Sequence, residues 1–282
     1  MSVFRTSSLF RFCKERTMLQ NYLKTGIYPN YCEEDLSCEK SELKIGIPMA
    51  SFCDIPITLL SEHHERYGEY GMGLTKEWAI KNGISPVMYI TNEYTLRGLN
   101  ALLRTEQEHL TYINSEEFKR QVKQNAISEP IGHIMKLVEL MKQEDESFLN
   151  RYLLGFCKKY KSKFENKTIC NYIENEWRYI VSESKEIPWY WSHEDYVKWR
   201  SPEGLESCPK PAPSQKMIEK KLTFEASDVT YIIVKEESQV RFIIKTINEL
   251  KYLGGSKIRL HQYDKDLLCS KIISRERINK DF

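Results

Sequence analysis

No stretch of this sequence approaches the roughly 18 apolar residues that a membrane-spanning helix needs, and no apolar signal core opens it. The expectation is a cytoplasmic chain with no membrane partner. The first 31 residues carry Arg5, Arg11, Lys14, Arg16 and Lys24 against Glu15 alone, which resembles a transit peptide superficially but reads better as the first folded element. A charge excess is also missing: 42 Lys and Arg face 40 Asp and Glu. That removes any general electrostatic case for nucleic acid and leaves only local patches. Cysteines Cys13, Cys32, Cys38, Cys53, Cys157, Cys170, Cys208 and Cys269 include no C-x-x-C pair, and His63-His64 have no second thiol pair beside them. Free thiols and no metal site are therefore expected. The segment Gly68-Glu69-Tyr70-Gly71-Met72-Gly73-Leu74-Thr75 matches neither a phosphate loop nor a dinucleotide fingerprint, so its glycines point to a bend or a close backbone approach. No internal repeat is visible.

What is present suits a folded α+β chain. At 282 residues and 41% hydrophobic content, one large domain or two small ones can bury a substantial core. Strand periods cover Ser8–Cys13, Ile47–Pro56, Pro86–Ile90 and Val229–Val234, with shorter ones at Leu222–Phe224, Lys257–Leu260 and Lys271–Ile273. Helical stripes cover Glu15–Leu23, ended by Gly26, then Thr58–Tyr67, Lys76–Lys81 and Glu236–Leu250. Cys32–Glu42 reads as an acidic loop, and Pro209, Pro211 and Pro213 mark an extended one. From Thr91 to about Tyr160 the pattern is long, polar and helical, with a stripe at Ile131, Ile134, Met135, Val138 and Met141. The predicted organisation is one composite domain: residues 1–90 form the first half of a sheet, 91–165 a helical insertion, and 166–282 the second half. The Lys158–Lys167 run is basic and aromatic, either a solvated turn or a contact for phosphates.

Tyr172–Val181 is the stretch of most chemical interest. Tyr172, Glu174, Glu176 and Arg178 share one parity, while Ile173, Asn175, Trp177 and Tyr179 share the other. A single strand would project both carboxylates from one face about 7 Å apart. Arg178 is positioned to pair with either glutamate, and Trp177 reads as core. The bland alternative is a solvated strand face with Arg178 neutralising the pair.

The block Ile47-Pro48-Met49 through Ser51-Phe52-Cys53-Asp54-Ile55-Pro56, with His63, Tyr67-Gly68-x-Tyr70-Gly71-x-Gly73 and Lys76-Glu77-Trp78, resembles the abortive-infection protein family AbiGi. So do Glu174-x-Glu176-Trp177-Arg178-Tyr179 and the closing Ser270-Lys271-Ile272-Ile273. Members are bacterial phage-resistance proteins, described as the antitoxin of a two-gene system. A more distant resemblance is to ADP-ribosyltransferases: Arg11 on the first strand, Ser51 on the second, Tyr67 after it and the late Glu174-x-Glu176 stand in that family's order. It implies a split, mixed or antiparallel sheet core and NAD as substrate. Glu176 would then hold the ribose 2′-hydroxyl and offset an oxocarbenium-like charge, and Glu174 would orient or deprotonate the acceptor. Arg11 would bind the diphosphate or ribose edge. Tyr67 and Tyr70 would stack on nicotinamide. The strand reads Ser51-Phe52-Cys53, which leaves open which side chain faces inward. Plainer roles compete: Arg11 in a surface ion pair, Tyr67 and Tyr70 as core aromatics, Asp54 as a helix cap, His63 as a structural histidine.

Two functions from different classes follow. One is an ADP-ribosyltransferase toxin that modifies RNA, DNA or a protein of the translation or replication machinery. The other is a non-enzymatic antitoxin that binds a partner toxin. A nucleic-acid-binding module using the Lys158–Lys167 run is a third, and the balanced net charge weighs against it.

Overall fold

The computed structural model describes residues 6–59, 68–117, 120, 152–164, 167–200 and 215–281. The Ile131–Met141 stripe, the Pro209–Pro213 loop, Tyr67 and His63 lie outside them.

One sheet takes strands from both ends of the chain. In chain order its members are β1 (Ser8–Cys13), β2 (Asn30–Asp35), β3 (Lys44–Cys53), β4 (Tyr70–Thr75) and β5 (Ser85–Pro86). The smaller pieces β6 (Met88–Ile90), β7 (Cys157–Lys159), β8 (Lys161–Phe164) and β9 (Lys167–Cys170) stand apart from it, and β10 (Glu176–Ile180), β11 (Val229–Val234) and β12 (Ile272–Ser274) complete it. The order across the sheet is β12-β11-β4-β1-β3-β10-β5, with β2 also on β3. Every pairing is antiparallel except the parallel β11–β12 edge. β6 pairs in parallel with β7, and β8 with β9 forms a hairpin.

Helix α1 (Arg16–Thr25) buries Leu19, Tyr22 and Leu23 and ends at Gly26. Helix α2 (Lys76–Lys81) starts at Thr75, whose hydroxyl accepts the Trp78 N–H at 3.2 Å, the usual N-terminal cap. Helix α3 (Glu93–Asn114) opens on an Asn92 cap. Helices α4 (His193–Arg200) and α5 (Gln215–Glu219) follow β10. Helix α6 (Val240–Glu249) buries Ile243 and Ile247, and α7 (Gln262–Ser270) and α8 (Arg275–Asp281) flank β12.

Strand alternation divides the core. On β3, Ala50 and Phe52 point into a cluster with Leu19, Leu23, Trp78, Ile243 and Ile247, while Ile45, Ile47 and Met49 point into another with Leu96, Phe156 and Trp189. β10 obeys the same rule: Trp177 and Tyr179 pack on the first cluster and Ile180 enters the second. The glycines of β4 serve close approach. A Cβ on Gly71 would sit 2.7 Å from the Phe12 ring, and one on Gly73 would sit 2.6 Å from Thr230 Oγ1.

Several local expectations need correction. Asn30–Asp35, expected to run from extended backbone into an acidic loop, is a strand paired along its whole length with Lys44–Met49, because Tyr31 and Glu34 find buried partners. Leu222 and Arg259 contribute isolated bridges rather than strands. Residues 171–174 form a 3-10 turn, so the predicted Tyr172–Val181 strand begins only at Glu176. Lys161, Lys163 and Lys167 do sit on an exposed hairpin, but Lys158 does not.

Candidate functional site

A guanidinium sealed inside the protein organises the site. Arg178 lies opposite Ser51 in the β3–β10 register and is 1% exposed. Water cannot solvate it there, so each N–H must find an oxygen. Its Nε donates to Glu176 Oε1 at 2.8 Å and its Nη1 to the Gly155 carbonyl at 2.6 Å. Its Nη2 donates to Glu34 and, at 3.2 Å, to Glu176 Oε2. A second cation completes the cluster: Lys158 Nζ donates to Glu174 Oε2 at 2.9 Å and to Glu176 Oε2 at 2.6 Å. Three buried carboxylates thus share the buried Arg178 and the partly buried Lys158.

The charge states follow from those contacts. Burial alone would raise the Glu176 carboxyl, but the Arg178 guanidinium and the Lys158 ammonium overcome it and hold the group at about 2. Burial wins at Glu34, whose carboxyl rises above its ordinary value although Arg178 pulls it down. Burial opposes the charge on Arg178, yet Glu176 and Glu34 raise that group above its usual range and keep it protonated.

Beside the cluster lies a cavity of about 380 Å³, a size suited to a small molecule. Arg11, Ser51, Glu174 and Glu176 all line it, with Phe10, Phe52 and Met49 supplying apolar wall. Arg11 Nη1 donates to the Ser51 carbonyl at 2.7 Å, and its guanidinium carbon lies 5.9 Å from the ring centres of both Tyr22 and Phe52. Arg11 Nε is buried with no hydrogen-bond partner among the described residues. Ser51 and Cys53 share one side of β3, and the Cys53 thiol donates to the Phe10 carbonyl at 3.4 Å. Burial raises that thiol well above its ordinary range, with Glu174 and Glu176 adding to the effect, so it is a poor nucleophile.

Four of the six candidate residues therefore meet at one cavity. Tyr70 does not. It is buried on β4 among Cys13, Leu19 and Tyr22, because the strand period turns its ring to the α1 face. Tyr67 lies outside the described residues. The two glutamates reach each other by a different route from the one expected. Glu174 ends the 3-10 turn, Asn175 takes a left-handed φ of 41°, and Glu176 starts the strand, so Lys158 gathers both acids. The Asp54 carboxylate accepts from Thr6 Oγ1 at 2.6 Å and from Lys76 Nζ at 2.7 Å and caps no helix among the described residues; most of the Thr58–Tyr67 helix it was expected to cap lies outside them. Glu34 and Lys158 escaped the sequence reading. Glu34 sits in an unbroken acidic run with no period, and Lys158 differs from its basic neighbours only in following the apolar Phe156-Cys157.

Comparison with known proteins places this architecture. A family model described as "Putative abortive phage resistance protein AbiGi, antitoxin" matches residues 25–235. The chain belongs to the AbiGi family. A relative from Lactococcus lactis subsp. cremoris, named abortive phage resistance protein AbiGi, is 28% identical over 272 residues, which is 90% of this chain and 98% of that protein. The AbiGi match spans Glu34, Ser51, Lys158, Glu174, Glu176 and Arg178 and begins after Arg11. No solved structure matches the chain. No described helix is long and apolar enough to cross a membrane.

Proposed function

We propose that this AbiGi chain works in abortive-infection defence by binding and restraining a partner toxin. The match of residues 25–235 to a family described as an antitoxin carries this reading. The geometry agrees with it, since the acids Glu174 and Glu176 answer to the protein's own Lys158 and Arg178. A carboxylate held in two ion pairs stiffens the start of β10 and needs no substrate to neutralise it. The test is co-expression and co-purification with candidate toxins encoded beside this chain's gene. A stable complex, and rescue of growth from such a toxin, are the expected results; free toxin and no rescue would remove the reading.

A second reading has its own observation: Arg11, Ser51, Glu174 and Glu176 converge on one cavity, and Arg11 Nε is unpaired there. In it the cavity takes NAD. The bond from ribose C1′ to the nicotinamide nitrogen breaks, nicotinamide leaves with the bonding pair, and an acceptor nucleophile bonds to C1′ while its proton passes to Glu174. Glu176 would hold the 2′-hydroxyl and offset the positive charge on the ribose, an effect worth roughly 10²–10³ in rate for one such group. Lys158 would have to turn aside as the ribose arrives. Labelled NAD incubated with the protein and a cell lysate separates the two readings. Label on an acceptor, lost in Glu176→Gln while the fold persists, supports transfer. No label on any acceptor ends it.

A further inference from the structure

A second cleft, of about 560 Å³, lies on the other side of the same turn. Glu174, Glu176 and Arg178 face the first cavity, whereas Asn175 and Trp177 line this one. The Tyr89 hydroxyl accepts the Glu176 N–H at 2.8 Å, and its ring lines this second cleft. Tyr172 stands edge-on to Tyr89 at 5.2 Å, leans against Tyr160 at 5.6 Å and is 51% exposed, with its ring lining the cleft. Trp177 closes another side, with Lys76 Nζ 5.8 Å from its ring centre and Asp54 bonded to that ammonium.

We infer that this cleft binds a nucleobase, carried on a free nucleotide or on an unpaired strand, between Tyr172, Tyr89 and Trp177, with Asn175 reading its edge. Three aromatic rings lining one cleft offer a flat heterocycle surfaces for stacking. The Asn175 side chain and the Trp177 indole N–H have no hydrogen-bond partner among the described residues. An amide offers one donor and one acceptor side by side, the pattern that pairs with a base edge. A hydrocarbon-like ring such as phenylalanine would desolvate those groups and the Lys76–Asp54 pair without returning a hydrogen bond. That contrast favours a base over an apolar protein side chain. The left-handed turn at Asn175 is fixed by its backbone, whose carbonyl accepts the Asp54 N–H at 3.1 Å and whose N–H donates to the Tyr172 carbonyl at 3.1 Å, leaving the side-chain amide unbonded among the described residues. The inference stands independently of what the first cavity does.

The test is titration of the full-length protein with the four ribonucleoside monophosphates, with mixed-sequence single-stranded RNA and DNA, and with an aromatic-tipped peptide, followed by calorimetry and tryptophan fluorescence. Saturable binding of a nucleotide or strand is expected. Tyr172→Ala should weaken it about tenfold, the loss of one stacking face. Asn175→Gly, which tolerates the positive φ, should weaken it several-fold and flatten the preference among bases. Both variants alter exposed side chains and should melt within a few degrees of the parent. Equal affinity for monophosphates and oligomers assigns the site to free nucleotides, and binding of oligomers alone assigns it to a strand. Either outcome supports the inference. No binding at millimolar nucleotide, binding unchanged in both variants, or capture of the peptide in preference to every base overturns it.

Discussion

Lys158 Nζ lies 2.6 Å from Glu176 Oε2, and both groups line the wall of a cavity. A strand residue from the middle of the chain thereby neutralises the acid on which the catalytic hypothesis depends. The same ammonium reaches Glu174, so one lysine sets the spacing of both carboxylates.

Replacing Lys158 should expose that dependence. In Lys158→Met the Glu176 carboxyl loses its second cation while Arg178 remains, so its midpoint should move upward from about 2 without reaching the ordinary carboxylate range. Carboxyl-carbon NMR across an acid titration reads the shift, and an unchanged midpoint would remove Lys158 from the account.

Arg178→Ala should be far more damaging. It leaves Glu34 and Glu176 facing each other without their shared cation, and loss of one partner in a buried pair typically costs about 3–5 kcal/mol. Urea denaturation would measure it. A loss below about 1 kcal/mol would mean that water reaches the cluster freely.

Acid should act through Glu176. Its folded value of about 2 is depressed from 4.5, so its stabilising contribution is fully present above about 4.5 and disappears as pH falls toward 2. Glu34 is shifted upward, so its carboxylate opposes folding at neutral pH, and its protonation as pH falls relieves that cost and offsets part of the Glu176 loss. Glu176→Gln should therefore flatten the stability profile between pH 4.5 and 2. A slope equal to the parent's would assign acid sensitivity elsewhere.

Gly68→Ala should destabilise the chain with no effect on the charge cluster. Gly68 has a φ of 108°, and an added Cβ would fall 2.2 Å from the Cys13 carbonyl oxygen, which is backbone and cannot turn away. Strain plus displacement should cost about 1–3 kcal/mol. A thermal melt matching the parent's would show that this turn relaxes.

Period and punctuation made much of the frame legible. The alternation of Ser8–Cys13, the apolar strand Val229–Val234, the stripe around Ile243 and Ile247, and the stop at Gly26 each reflect a residue's own backbone preference or its repeat on one face. Those are local properties, and the sequence alone determined them, together with the balanced charge and the AbiGi membership that residues 25–235 carry. Glu34, Lys158 and the turn at Asn175 were decided by the tertiary structure. Burial converts ordinary charged residues into obligatory partners, and the partners come from positions 34, 158 and 178, which no local pattern relates. Tyr70 illustrates the converse. Its aromatic ring suited a ligand as well as a core, and only the packing of β4 against α1 determined which it would meet.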